Sequence, residues 1–258
     1  MNKINKSKKV RILNSYISSI SFNDLCEEIF YWIKNKEKRY ICVSAVHACI
    51  LAYKDIAFSK AYNNADIVAP DGRPLFWALK LLGHKYSEHL RGEFLTRNIT
   101  KFAAINNFEV GFYGGKKNSV DKCINVLKNE NKNLNISYSF SPPSPFTNLL
   151  KEKDIELINK INSSKTKILF VALGCPVQEL WMESYKKDLN CICIGIGAAV
   201  DFISGEKISA PNWVQKLGLE WLLRLISEPR RLFWRYFSTN FLFTFLFFLQ
   251  ITGLKKFK

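Results

Sequence analysis

An α/β fold, built on a mostly parallel sheet flanked by helices and closed by a C-terminal amphipathic, membrane-associating helical appendage, is the class this sequence predicts. Three observations carry it. The runs KILFVALG (167–174) and CICIGIG (191–197) are continuously apolar and each stops at glycine, the pattern of strands buried on both faces. They alternate with segments of helical period, which makes successive strands parallel. Near residue 213 the composition turns amphipathic, then aromatic and basic, dividing a core at 1–212 from an appendage at 213–258.

The elements follow in order. Ser21 with Asp24 three residues on resembles a capping box, and Leu25, Ile29, Trp32 and Ile33 recur at helical spacing, so a first helix is predicted at about 22 to 35. RYICVSAVHACILAY begins as a β-branched run and changes character after Val46, a buried strand delivering its end to a helix; Ser44 and His47 fall at that end. In YNNADIVAPDGRPLFWALKLLG, Pro70 and Gly72 bracket Asp71 at a sharp turn that opens into an apolar helix. FEVGFYGGKKNSVDKCINVLKN repeats the grammar: a strand, the turn Tyr113-Gly114-Gly115, then Val120, Cys123, Ile124 and Leu127 on one helical face. NISYSFSPPSPF runs into a proline-stiffened loop, and a charged helix is predicted at about 149 to 163.

In the last quarter, Leu217, Trp221 and Leu225 line one face of a helix and Lys216, Glu220, Arg224 and Ser227 another. Pro229 interrupts it. The apolar run from Phe241 to Leu249 falls short of the ~20 residues that span a bilayer. Flanking lysines and arginines suit anionic headgroups, so the tail is expected to lie in the membrane interface; the other reading is a helix docked on the core or on another subunit.

Ligands of parallel sheets collect beyond the strands' C-terminal ends. Ser44, His47, Asp71, Tyr113, Gly114, Gly115, Gly174, Gln178 and Asp201 all fall at or just past such predicted ends. Lys plus Arg number 38 against 22 acids, a net +16, which calls for an anionic partner: nucleic acid, a phosphorylated substrate or an acidic membrane surface. The N-terminal segment shows no signal-peptide pattern, so a cytoplasmic protein is expected. Seven cysteines without C-x-x-C spacing read as buried thiols rather than a metal site or disulfide framework.

NNADIVAPDGRPLFWALKLLG, LGCPVQELWM and the long block GIGAAVDFISGEKISAPNWVQKLGLEWLLRLISEPRRLFWRY, with FYGG and SPPSPF between them, resemble the WecG/TagA/CpsF family, glycosyltransferase family 26. The resemblance is collinear over roughly residues 10 to 236. It implies a Rossmann-like core and an inverting hexosyltransferase that moves an N-acetylmannosamine-type sugar from a UDP-sugar to a polyprenyl-diphosphate-linked sugar, at the cytoplasmic face of the membrane, in cell-surface polysaccharide, teichoic acid or capsule synthesis. The implied partners are the UDP-sugar donor, the lipid-linked acceptor and an anionic membrane surface, with self-association open and nucleic acid not expected.

Residue by residue, Asp71 matches the family's proposed catalytic aspartate and is the expected base, with Asp66 as second candidate. Gln178 matches a substrate-site position, which Glu179 and Trp181 help to shape. Tyr113, Gly114, Gly115 and Gly197 are candidates for close backbone approach to the nucleotide, and Arg91 for an anionic group. Arg224, Arg230, Arg231 and Arg235 resemble arginines expected near the lipid diphosphate. No D-x-D occurs in the chain, so no metal and no cofactor is expected. Many relatives carry Thr-x-Asn near the first strand's end, where this chain reads Ser44-Ala45-Val46-His47; His47 either replaces the missing asparagine's hydrogen bonding or marks a different donor sugar.

Two rival readings compete. Strand, glycine turn and helix units also build the dinucleotide sites of oxidoreductases, against which stands the missing G-x-G-x-x-G. A basic nucleic-acid-binding protein would use the same arginines on phosphates and the aromatic rings on bases.

Overall fold

The structure is a computed structural model and describes residues 8–211, 214, 220–227 and 229–257. The chain opens with an antiparallel hairpin, β1 (Lys8–Ile12) and β2 (Ser15–Ser19). Helix α1 (Phe22–Lys34) follows, and Ser21 caps it by accepting from the Asp24 N–H at 3.2 Å, as predicted. Then come β3 (Tyr40–Ser44), α2 (Val46–Lys54), α3 (Ile56–Asn63), β4 (Ile67–Pro70), α4 (Arg73–Leu81) and α5 (Gly92–Ile105). The second half supplies β5 (Val110–Gly114), α6 (Lys117–Glu130), β6 (Ile136–Phe140), a 3-10 turn (Phe146–Leu150), α7 (Ile155–Ser163), β7 (Ile168–Ala172), α8 (Val177–Tyr185), β8 (Ile192–Gly195) and α9 (Ala199–Ile203). Two further helices, α10 (Glu220–Ser227) and α11 (Pro229–Ile251), close it.

Six strands form one sheet in the order β4-β3-β8-β7-β5-β6, parallel throughout. Parallel strands need helical crossovers, and covering both faces makes the central strands apolar on both sides; β3, β4, β5, β7 and β8 are buried nearly end to end. One core lies under α2, α3, α4, α7 and α8, the other under α1, α5, α6 and α9. The exposed edge of β4 is covered by the hairpin, where Ser18 Oγ accepts from the Val68 N–H at 3.0 Å, which blocks pairing with another chain. Helices after β3 and β8 leave on opposite faces, so the crevice of a doubly wound sheet opens between those neighbours.

The charged helix predicted at 149 to 163 is two pieces, because Asp154 accepts from the Leu157 N–H at 2.9 Å and starts a new helix there. The tail is not a detached unit. Phe243, Leu246, Phe247 and Phe257 belong to the same core as α2, and Gln250 is clamped to the β1–β2 turn, accepting from the Leu13 N–H at 2.7 Å and donating to the Arg11 carbonyl at 2.9 Å. That turn lies where β4 begins, since Asn63 and Ala65 accept from Tyr16 and Lys9. Helix α11 spans about 34 Å and α2 about 14 Å. On α11, Trp234, Phe237 and Phe241 are exposed by 72, 62 and 71 %. No described helix is long and apolar enough to cross a membrane.

Candidate active site

Among the described helices, α2, α4, α5, α6, α8 and α9 start without a side-chain cap, whereas α1, α3 and α7 are capped by Ser21, Asp55 and Asp154. Five of those six uncapped helices follow on β3, β4, β5, β7 and β8, so their N-terminal first turns gather at the C-terminal edge of the sheet. Uncapped first turns carry partial positive charge and hold anions.

Asp71 stands on this edge, one residue past β4. Its backbone N–H donates to the Ser44 carbonyl at 2.7 Å, and Gly72 shares that acceptor at 3.2 Å. The loop before α5 folds over from the other side. Leu90 N–H donates to the Pro70 carbonyl at 2.9 Å, Gly92 N–H donates to Asp71 Oδ1 at 3.2 Å, and the His89 ring bonds the Asp71 carbonyl through Nε2. Gly72 and Gly92 permit this closeness: a Cβ at Gly72 would lie 3.3 Å from Ala45 Cα, and one at Gly92 3.2 Å from the Ile196 carbonyl. Asp71 is half-buried and fixed in backbone and side chain alike.

The Gly92 contact leads to the turn after β8. There Gly197, with φ +51, donates its N–H to Gln178 Oε1 at 3.0 Å, and Gln178 Nε2 donates to Glu179 Oε1 at 2.8 Å. Gln178 lies flat across β8, since a Cβ at Gly195 would come within 3.1 Å of its Nε2. Burial pushes the Glu179 carboxyl up to about 7, against the pull of Gln178 and Cys175. Further along, Gly115 N–H donates to the Ala172 carbonyl at 2.9 Å. Gly114 adopts φ +102 with no room for a Cβ, which would fall 2.8 Å from that same carbonyl.

The structure therefore brings Ser44, Asp71, Arg91, Gln178, Gly197, Gly114 and Gly115 to one edge. Arg91 is the half-buried residue immediately before Gly92, in the loop that braces Asp71. His47 sits in the first turn of α2, its Nδ1 out of solvent. Several side chains face inward instead. The Ser44 hydroxyl is buried against the Tyr62 hydroxyl, so what Ser44 gives the edge is its carbonyl. Tyr113 and Trp181 are core residues, stacked at 4.7 Å, with Trp181 stacked in turn on Tyr185 at 4.5 Å. Asp66 precedes β4 and so lies at the opposite edge. It accepts from Arg39 at 2.6 Å and from the Tyr40 N–H at 2.9 Å and pairs with Lys186 at 3.0 Å, and the structure does not bring it to Asp71. The side chains of Arg224, Arg230, Arg231 and Arg235 lie outside the described residues.

Sequence reasoning missed His89 and Gly92, which hold Asp71, and Tyr62, which occupies Ser44. Gly92 alone left a signal, a glycine at the head of an apolar helical pattern. Among the described residues no cluster of three or more His, Cys, Asp or Glu side chains is placed to hold a metal ion. An open cavity of about 480 Å³, lined by Lys38, Asn64, Glu183, Lys186 and Lys187, lies at the Asp66 edge.

The sequence profile of the Glycosyl transferase WecG/TagA/CpsF family matches residues 10–257. Three curated relatives share the name N-acetylglucosaminyldiphosphoundecaprenol N-acetyl-beta-D-mannosaminyltransferase. The protein of Bacillus spizizenii is 25% identical over 85% of this chain and 84% of its own length. That of Bacillus subtilis is 26% identical over 84% and 82%, and that of Staphylococcus aureus 22% identical over 87% of each.

Proposed function

The chain belongs to the WecG/TagA/CpsF glycosyltransferase family, and from that premise we propose that it transfers an N-acetylmannosamine-type sugar from a UDP-sugar to a sugar carried on a polyprenyl diphosphate, with inversion. The observation that carries the reading is Asp71, an acid at the C-terminal edge held through its backbone by Ser44 and through its side chain by the N-terminus of α5. The three relatives' names support the acceptor, a GlcNAc-diphosphoundecaprenol, and the transferred sugar.

Chemistry then assigns roles. The Asp71 carboxylate takes the proton of the acceptor hydroxyl as its oxygen attacks the anomeric carbon; the bond from that carbon to the diphosphate oxygen breaks, and UDP leaves with the electron pair. From Asp71 on β4 to Gly114 on β5 the edge crosses four strand intervals, about 19 Å, enough for an extended nucleotide sugar. The N-terminal ends of the uncapped helices along it favour the diphosphate and its growing charge. No D-x-D exists to bridge a metal to the diphosphate, and we take the reaction to be metal-independent.

The aromatic face of α11 supports the other half of the reading. Trp234, Phe237 and Phe241 are exposed, in a chain of net charge +16. Exposed aromatic rings on a basic protein suit the anionic inner leaflet from which a lipid-linked acceptor rises. The test is acceptor-dependent release of UDP from a panel of UDP-sugars in EDTA, with wild type and Asp71→Asn. Release that is lost in the variant supports the assignment; release indifferent to acceptor or to Asp71 sinks it.

A further inference from the structure

We propose that Glu179 is the positioning residue for Gln178: by accepting from Gln178 Nε2 it fixes which way round that amide sits across the end of β8, with Gln178 Oε1 turned to the Gly197 N–H. Its effect on turnover rests on the glycosyltransferase reading; the hydrogen bonding does not.

The two ends of a glutamine amide have nearly the same shape, so only its partners decide the orientation. Gly197 N–H can only donate, and an ionised carboxylate can only accept. Both therefore select the same orientation of Gln178. A neutral acid at position 179, or a glutamine, offers a donor as well as an acceptor, and only Gly197 would still discriminate. Space leaves no third arrangement: Gln178 and Glu179 are 3 and 1 % exposed, and Gly195 admits the amide only because it has no Cβ. For packing alone this is a poor choice of residue, since a carboxyl only 1 % exposed loses its hydration.

The titratable groups that face Glu179 are Cys42 on β3, Tyr62 on α3 and Cys175 ahead of α8. Burial raises Cys42 and Tyr62 well above their ordinary values, so both stay neutral near pH 7. Glu179, lifted to about 7, changes charge there. As pH rises through that value the acid becomes acceptor-only and the orientation of Gln178 is doubly fixed. Glutamine at 179 mimics the protonated acid at every pH.

The chain has three glutamines, 178, 215 and 250, so side-chain ¹⁵N-glutamine labelling of the full-length protein gives three amide pairs, identified by single Gln→Glu substitutions. The Gln178 pair is expected to shift with a midpoint near pH 7 in wild type and to lose that titration in Glu179→Gln, with the melting temperature at pH 8 no lower. In transfer assays Glu179→Gln is expected to lower kcat by about tenfold at pH 8, approach wild type at pH 6, and lack the rise between them. A Gln178 signal that titrates equally in both proteins, or a variant that keeps the wild-type rate and pH profile, overturns the proposal. If wild type transfers no sugar, the functional reading fails, and the amide titration still decides the role of Glu179.

Discussion

Gly92 N–H reaches Asp71 Oδ1 across 3.2 Å, so the N-terminus of one helix grips the side chain that ends a strand 21 residues earlier. The grip orients the carboxylate at the edge of the sheet. Asp71→Asn keeps the shape and removes the base; turnover is expected to fall by about 10²–10⁴-fold with little change in the urea midpoint. A variant that unfolds earlier, or that stays active, contradicts a proton-accepting role.

Gly92→Ala tests the bracing separately. Its methyl would meet the Ile196 carbonyl at 3.2 Å and Ala199 Cβ at 3.6 Å, so the α5 terminus must move away from β8. A loss of about 1–3 kcal/mol in urea unfolding is expected, together with a fall in kcat at unchanged donor affinity. Equal stability and full activity would mean that the contact with Asp71 is idle.

Gly114→Ala addresses the far end of the edge. A side chain at φ +102 is strained, and its Cβ would fall 2.8 Å from the Ala172 carbonyl, so destabilisation beyond 1 kcal/mol is expected from the backbone alone. The glycine is thus required by the approach of β5 to β7, whatever nucleotide sits above it.

The Glu179 carboxyl also makes stability depend on pH. Its folded value, about 7, exceeds the ordinary 4.5, so between those values the native state holds a proton that the unfolded chain has lost. Stability is therefore expected to fall as pH rises from 4.5 to 7, by up to roughly 3 kcal/mol. Glu179→Gln should remove that part of the slope; an unchanged slope would place the proton elsewhere.

Tail truncation is a blunt test, because removing residues 237–258 strips Phe243, Leu246, Phe247 and Phe257 from the core they share with α2. Such a truncation is expected to destabilise the protein as well as release it from membranes. Replacing the exposed Phe237, Phe241 and Phe245 by serine leaves the buried face intact. We expect that triple variant to melt within a few degrees of wild type and to lose sedimentation with anionic vesicles. Retained vesicle binding, or a shift from dimer to monomer instead, would assign the surface to another partner.

Much of this was legible before any coordinates. Continuous apolar runs ending in glycine marked β7 and β8, and Pro70-Asp71-Gly72 marked the turn that carries the acid, because those signals are local. The β1–β2 hairpin gave none: its left-handed turn residue is Leu13, with φ 54, not the glycine or asparagine such turns favour. Nor could spacing reveal that Asp66 and Asp71, five residues apart, stand at opposite ends of a four-residue strand, or that His89 and Gly92 fold back onto Asp71. Whether Ser44 and Tyr113 turn outward or inward was equally hidden, since Tyr62 and Trp181, which claim them, come from other elements.

The most direct measurement of the central claim is acceptor-dependent UDP release in EDTA by wild type and Asp71→Asn, with UDP-N-acetylmannosamine and a GlcNAc-diphospholipid. We expect release by wild type only, and only with acceptor present. Equal release by both proteins would contradict Asp71 as the base, and none by wild type with any donor would contradict the assigned reaction.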